Sequence, residues 1–223
     1  MRINKFLALA TGMSRRAADS ELAKGTVRVN GLPAALGQQV TATDVIAHNG
    51  RQLSINTHTT TILLNKPVGY VVSRNGQGSR TIYDLLPPKH HALKSIGRLD
   101  KDSSGLLLLT NDGQLAHTLT HPSSHKQKIY EITIDKPLQP LHRQMISDHG
   151  VRLDDGISKF ELERLHEGDD RQWRVTMHEG RNRQIRRTFA ALGYTVTKLH
   201  RTAFGQFILS DLPSGSYSEP ADR

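Results

Sequence analysis

The chain has 223 residues, 36% of them hydrophobic and 23% charged, a soluble globular composition in which no apolar run nears the roughly 18 residues needed to span a bilayer. There is no cysteine, which excludes disulfides, thiolate metal sites and cysteine nucleophiles. Lys and Arg outnumber Asp and Glu by 30 to 21, a formal charge of +9. The surplus is concentrated in two places. Residues 1–30 set six basic side chains against Asp19 and Glu21, a net of +4; residues 178–202 set six against Glu179, a net of +5; the remaining 168 residues are balanced. Two basic patches on a neutral body point to a polyanion held at two places. The N-terminal stretch lacks a secretory core and cleavage site, so a cytoplasmic protein is expected.

Along the chain, Ile3, Phe6, Leu7 and Ala10 share one face of a helix that Gly12 ends. Ser14 is a good N-cap for a second helix, with Ala17, Ala18 and Leu22 inward and Gly25 closing it. Val27 and Val29 alternate before Asn30-Gly31, a hairpin signal, and Val40, Val45 and Ile46 are strand candidates. Residues 50–60 are polar and unpatterned and read as a linker. From Thr61 onward strands are expected at 62–64, 70–72, 106–110, 129–134, 160–165 and 173–177. Helical stretches are expected at 81–86, 113–120, 140–147 and 183–192. Strands and helices mix without βαβα alternation, so the fold class is α+β with a largely antiparallel sheet. The domains are a small N-terminal unit with its linker, 1–58, and a larger one, 59–223.

Two segments could carry chemistry. Ser95 to Gly105 is a charged loop bounded by glycine that runs into the apolar strand Leu106–Leu109. Asp100 lies there between Arg98 and Lys101, and a carboxylate so placed can serve as nucleophile or base. His178 to Arg187 leads from a strand into a helix start with four arginines, a setting suited to phosphate. Tyr130 shares a strand face with Ile132 and Ile134; it is either a core tyrosine or an aromatic platform for a base. His117 and His121 have the spacing of two metal ligands, but no carboxylate sits at a matching place. Gly76 and Gly78 lack the third glycine of a dinucleotide loop.

The stretch Gly97-Arg98-Leu99-Asp100-Lys101-Asp102-Ser103-Ser104-Gly105-Leu106-Leu107-Leu108-Leu109-Thr110-Asn111-Asp112-Gly113 closely resembles the signature loop of the bacterial ribosomal-RNA pseudouridine synthases of the RsuA type. Leu64-Asn65-Lys66-Pro67-Val68-Gly69, Lys128-Ile129-Tyr130 and Glu179-Gly180-Arg181-Asn182-Arg183-Gln184-Ile185-Arg186-Arg187 agree in order and spacing. The N-terminal unit resembles a small alpha-L RNA-binding module, with Arg15-Arg16 at the start of its second helix. The resemblance implies a pseudouridine synthase fold, a mixed, mainly antiparallel sheet with a cleft across its middle. It implies isomerisation of uridine in ribosomal RNA with no metal, nucleotide or other cofactor, by a monomer acting on a flipped-out nucleotide. The form of the arginine-rich motif is more like the large-subunit members.

By the same resemblance, Asp100 is the catalytic aspartate, attacking the uracil ring or the anomeric carbon. Tyr130 stacks on the base, and Arg186 is the cation paired with the aspartate. Arg15, Arg16, Lys24 and Arg28 are expected RNA contacts of the N-terminal unit. Arg98, Lys128, Arg181, Arg183 and Arg187 are those of the larger one. Thr188 and Phe189 depart from the family's apolar pair, which touches packing more than chemistry. One rival is an RNA-binding ribosome-assembly factor with the same fold and no catalysis; its discriminating feature is loss of the trio Asp100, Tyr130 and Arg186. A hydrolase using Asp100 and Asp102 as paired carboxylates would instead need a divalent metal.

Overall fold

The computed structural model describes residues 1–55 and 58–220. The chain forms two compact units, Met1–Thr59 and Thr60–Arg223. In the first, α1 (Ile3–Thr11) ends on Gly12 at φ 78°, and Ser14 caps α2 (Arg15–Ala23) by accepting from the Ala17 N–H. Ile3, Leu7, Ala18 and Leu22 pack on Val27 and Ile46. Ala17 is exposed rather than inward, because one residue turns a helix by about 100° and Ala18 takes the buried face.

Four antiparallel strands complete this unit in the order β2-β1-β3-β4: β1 (Val27–Val29), β2 (Leu32–Pro33), β3 (Ile46–His48) and β4 (Arg51–Leu53). Asn30 and Gly31 take φ of 51° and 83°, the left-handed pair of a tight hairpin. Asn49 and Gly50 repeat it at 50° and 78°. The stretch expected as linker therefore opens with a paired strand, because this second Asn-Gly turn folds it back on β3. Residues 56 and 57 of that stretch lie outside the described residues.

In the second unit β5 (Thr61–Lys66), β6 (Lys94–Ile96), β7 (Ser104–Thr110) and β8 (Lys128–Ile134) come first. A separate hairpin of β9 (Val151–Leu153) and β10 (Gly156–Ser158) follows, then β11 (Glu161–Arg164), β12 (Gln172–Met177), β13 (Val196–Phe204), β14 (Phe207–Ile208) and β15 (Tyr217–Ser218). The nine-stranded sheet runs β11-β12-β8-β13-β7-β5-β15, with β6 on β7 and β14 on β13. Every pairing is antiparallel except β7 with β13. The fold is thus α+β with a mixed, mainly antiparallel sheet. The four-leucine run is explained by position: β7 is central and buried on both faces, Leu107 and Leu109 in one core layer, Leu106 and Leu108 in the other.

The helices are α3 (Gly113–Thr120), capped by Asp112, α4 (Pro140–Gln144), which runs on into a π-turn, and α5 (Gln184–Ala191). The helix expected at 81–86 is a single 3₁₀ turn closed by a Thr81/Asp84 capping box. The strand expected at 70–72 is reduced to one bridge between Val71 and Thr81. Among the described residues no helix is long and apolar enough to cross a membrane.

Candidate active site

The sheet brings three strands together at its centre, and each delivers one part of a cleft. The loop from Gly97 into β7 carries Asp100. β8 carries Tyr130, and β13 lies between the two strands. The loop is fastened from beneath by Lys66, the last residue of β5, whose side chain is fully buried. Its ammonium donates to the carbonyl oxygens of Pro67 and Asp100, each at 3.0 Å, and of Ser103 at 2.7 Å. Three donors meet three acceptors. Burial still pushes this ammonium down to about 8, against the pull of Asp102 and Asp100.

Opposite the loop stands the start of α5, pinned by buried Ile185 and Phe189. Arg183 caps it at φ 46°, a left-handed conformation costly for a side chain with a Cβ. Its guanidinium donates to both Asp102 carboxylate oxygens, at 3.0 and 2.9 Å, and lies 3.5 Å from Asp100 Oδ2. Arg186 sits deeper. It donates to the Val196 carbonyl at 2.5 Å and the Asp102 carbonyl at 2.8 Å, and its Nε lies 3.3 Å from Asp102 Oδ2.

The pairing expected between Arg186 and Asp100 is therefore not the one formed: Arg186 meets Asp102, and Arg183 is the cation beside Asp100. Burial of Ile185 fixes the helix face, and the two carbonyls take up the Arg186 fork before it can reach Asp100. The hydrogen bonds from Arg183 hold the Asp102 carboxyl below its ordinary value, and those bonds push Arg183 up in turn. Burial pushes the Arg186 guanidinium down. Asp102 is a clamp between loop and helix, which leaves it poorly placed as half of a hydrolytic carboxylate pair.

Tyr130 is buried on β8, cross-strand from Val175 on β12 and Arg201 on β13. It belongs to the core cluster and also lines the cleft. The cleft, about 700 Å³, is also lined by Asp100, Lys128, Arg183, Arg186 and Arg201. That volume lies within the range of about 300–1,000 Å³ typical of small-ligand sites.

The other expected RNA contacts divide sharply. Arg16 and Arg98 are exposed, with no side-chain partner among the described residues. Arg15 donates to Asn4, Lys24 pairs with Glu21 at 2.8 Å, and Arg28 donates to the Gly31 carbonyl. Arg181 and Arg187 both bind Asp155, at 2.8 and 2.6 Å, and so dock the β9–β10 hairpin on α5. Thr188 is fully buried and donates to Ser158 of the same hairpin at 2.7 Å, a packing role in polar form. Lys128 is half-buried over the Phe204 ring, and burial, with Arg201 nearby, pushes its ammonium down. His117 on α3 and His121 just past its end place their rings 4.9 Å apart. Among the described residues no group of three His, Asp or Glu side chains is placed to hold a metal ion.

Three residues of the site had no role in the sequence reading: Lys66, Asp102 as a clamp, and Arg201. For Arg201 a signal existed. Leu199, Arg201 and Ala203 alternate, which puts the arginine on the inward face of a strand.

The sequence model of the RNA pseudouridylate synthase family matches residues 60–191. A relative named ribosomal small subunit pseudouridine synthase A, from Pasteurella multocida, is 39% identical over 220 residues, covering 97% of this chain and 94% of that protein. One named ribosomal large subunit pseudouridine synthase B, from Xylella fastidiosa, is 38% identical over 219 residues, 93% of this chain; the chain spans only 46% of that protein's length. A crystal structure described as that of a pseudouridylate synthase superposes with a TM-score of 0.70 at 33% identity, over 98% of this chain and 95% of that one. With its signature motifs gathered around one cleft at the centre of this sheet, the chain belongs to the RNA pseudouridylate synthase family.

Proposed function

We propose that the chain converts a uridine of ribosomal RNA into pseudouridine, with Asp100 as the nucleophile and with no resident cofactor. The observation that carries this is the convergence of Asp100 and Tyr130 on one cleft of nucleotide size, in a chain of this family. A uridine stacked in RNA must swing out to reach that cleft. Tyr130 offers its ring as a stacking face. Attack by Asp100 at C1′ or at the uracil ring ends in the same balance. The C1′–N1 bond breaks with its electron pair on uracil, C5 bonds to C1′, the transient bond to Asp100 breaks with its electron pair returning to the carboxylate, C5 loses its proton, and N1 gains one. Arg183 lies beside the Asp100 carboxylate, and Arg186 acts through Asp102 to hold the loop. Arg16 and Arg98 are the cations best placed for phosphate, and Lys128 and Arg183 follow.

The setting we propose is a cytoplasmic monomer. A purely RNA-binding assembly factor would have no use for the trio Asp100, Tyr130 and Arg186, all present here. Relatives named for the large and the small subunit lie at nearly equal identity, so the test maps both RNAs. Pseudouridine is mapped across rRNA from cells with and without the protein, and purified protein is added back to the deficient RNA. Loss and restoration of one modified uridine is expected. An unchanged map together with no product in vitro overturns the activity and leaves the assembly-factor reading.

A further inference from the structure

Arg201 is a strongly charged side chain that neither the fold nor the proposed chemistry has yet used. It lies on β13 between β7 and β8 and is 2% exposed. Among the described residues its side chain makes one hydrogen bond, from Nε to the Leu106 carbonyl at 2.8 Å. Nη2 is buried without a hydrogen-bond partner, and among the described residues no carboxylate pairs with this guanidinium. Its carbon lies 6.0 Å from the Tyr130 ring centroid and 5.1 Å from that of Phe204. Another cation of the cleft, Lys128, is pushed down by burial and then by Arg201. Arg186, the half-buried arginine of the site, has Asp102; among the described residues Arg201 has only rings and a carbonyl.

A desolvated guanidinium without an anion is unfavourable. The fold nonetheless makes room for it. Arg201 is paired with Gly105 across β7 and β13, and Gly105 has φ 102°. A Cβ at Gly105 would sit 2.2 Å from the Arg201 carbonyl oxygen and 2.6 Å from its nitrogen, so the strand carrying Arg201 approaches as closely as glycine alone permits. Arg201 lines the same cleft as Asp100 and Tyr130. A flipped-out base is the part of a nucleotide that could enter the cleft beside the Tyr130 ring, whereas a phosphodiester is tethered by its backbone.

We propose that Arg201 is the cation that receives the negative charge building on a uracil carbonyl oxygen while the C1′–N1 bond is broken. This rests on the synthase reading above. It does not depend on where Asp100 attacks. In either route the bond's electron pair passes to uracil and delocalises onto its oxygens, and the charge disappears when C5 bonds to C1′, C5 loses its proton and N1 is protonated. A donor fixed where charge develops acts on the rate more than on ground-state affinity.

The experiment uses full-length wild type, R201K and R201M with rRNA transcript containing the target uridine. Single-turnover rate, RNA affinity and its salt dependence are measured on each. Wild-type turnover tests the synthase reading; absence of product there overturns that reading and with it this one. With wild type active, R201M is expected to lose about 10²–10³-fold in rate at saturating RNA, with affinity and salt slope within about two-fold. R201K should recover part of the loss by keeping the charge. Transcripts carrying 2-thio- or 4-thiouridine at the target supply a readout that a packing role would not move. One of them should slow wild type and have little further effect on the folded lysine variant. Because R201M leaves a hole beside Tyr130, folding is checked by near-UV circular dichroism, and R201K carries the test should R201M not fold. A full wild-type rate in R201K and R201M, or in R201K alone where R201M does not fold, overturns the proposal. So does a loss confined to affinity with a salt slope lower by about 1, which would make Arg201 a phosphate contact.

Discussion

In the first 30 residues the positive charge stands apart from the architecture: Arg16 is exposed with no side-chain partner among the described residues, and Lys24 and Arg28 make only local contacts. At 181–187 the surplus is sewn into the fold. Arg181 and Arg187 share Asp155, and Arg183 and Arg186 share Asp102. The two stretches look alike as charge counts and differ as physics. Solvated, uncommitted cations attract a polyanion at long range and are screened by salt. Cations held by carboxylates give up most of that reach and gain fixed geometry. A basic patch in a sequence therefore says where a polyanion is drawn, and only the partners of each cation say whether it recruits RNA or builds a site.

The sharpest break in that comparison is at the centre of the built site. Asp100→Asn keeps size and polarity and removes the charge of the proposed nucleophile, so single-turnover pseudouridine formation should fall by about three orders of magnitude or more. RNA affinity should hold within about two-fold, because the recruiting cations are elsewhere. Equal losses in rate and affinity would show the two functions to be one. Next in size is the fastening of the loop. Lys66→Met strips three carbonyls of their donor and should cost about 1–3 kcal/mol of stability, read by urea unfolding at pH 7. The pH dependence identifies the cause. Lys66 is depressed to about 8 from its ordinary 10.5, so between those values the folded chain binds fewer protons than the unfolded one. Unfolding free energy should then rise across that window in wild type and stay flat by comparison in the methionine variant. Parallel pH curves for the two proteins would remove Lys66 as the titrating group.

What could be read in advance follows the same division between local and assembled features. α3 at Gly113–Thr120 and the strands β5, β7 and β8 carry their apolar pattern in their own residues, and the α+β class follows from them. β13 shows it only over Leu199, Arg201 and Ala203, and its remaining polar residues hide a central strand whose neighbours β7 and β8 supply the apolar surface it packs within. β4 was hidden by a polar composition although its Asn49-Gly50 turn was in plain view. Asp100 and Tyr130 entered through motifs, which fix identity and order. The partner of Arg186 could not enter that way, since the choice between Asp100 and Asp102 is made by the docking of α5 against a loop some 80 residues earlier, and two residues' difference in sequence is a full change of partner in space.

The comparison is sharpened by smaller changes in its two halves. Arg16→Glu should weaken RNA binding about three- to ten-fold at low salt and lower the salt slope by about 1, because an uncommitted cation is lost. Arg187→Gln, which removes an arginine already held by Asp155, should leave that slope unchanged. A slope lowered equally by both would mean that RNA strips Arg187 from its carboxylate, and the distinction between recruiting and building cations would fail at this residue.

The smallest effect expected on stability is the coupling between Asp102 and Arg183. The side chains are 48% and 42% exposed, so solvent screens the pair despite its two-pronged geometry. A double-mutant cycle with Asp102→Asn and Arg183→Gln should return about 0.5–1 kcal/mol of stability, the upper part of the range for exposed pairs. Its sign with pH is fixed by the carboxylate. Asp102 is held below its ordinary 3.8 chiefly by the Arg183 hydrogen bonds. The folded state therefore releases this proton more readily than the unfolded one, and the stabilisation is complete above the unfolded value and lost as pH falls through the folded one. The coupling should thus be constant from pH 7 to about 5, decline below about 4, and shrink in high salt. Its role in the site is geometric, so the same cycle run on single-turnover rate should give a larger coupling than the cycle run on stability. If the two couplings are equal, the clamp does no more than hold α5 to the loop, and the placement of Arg183 beside Asp100 is without consequence for the chemistry.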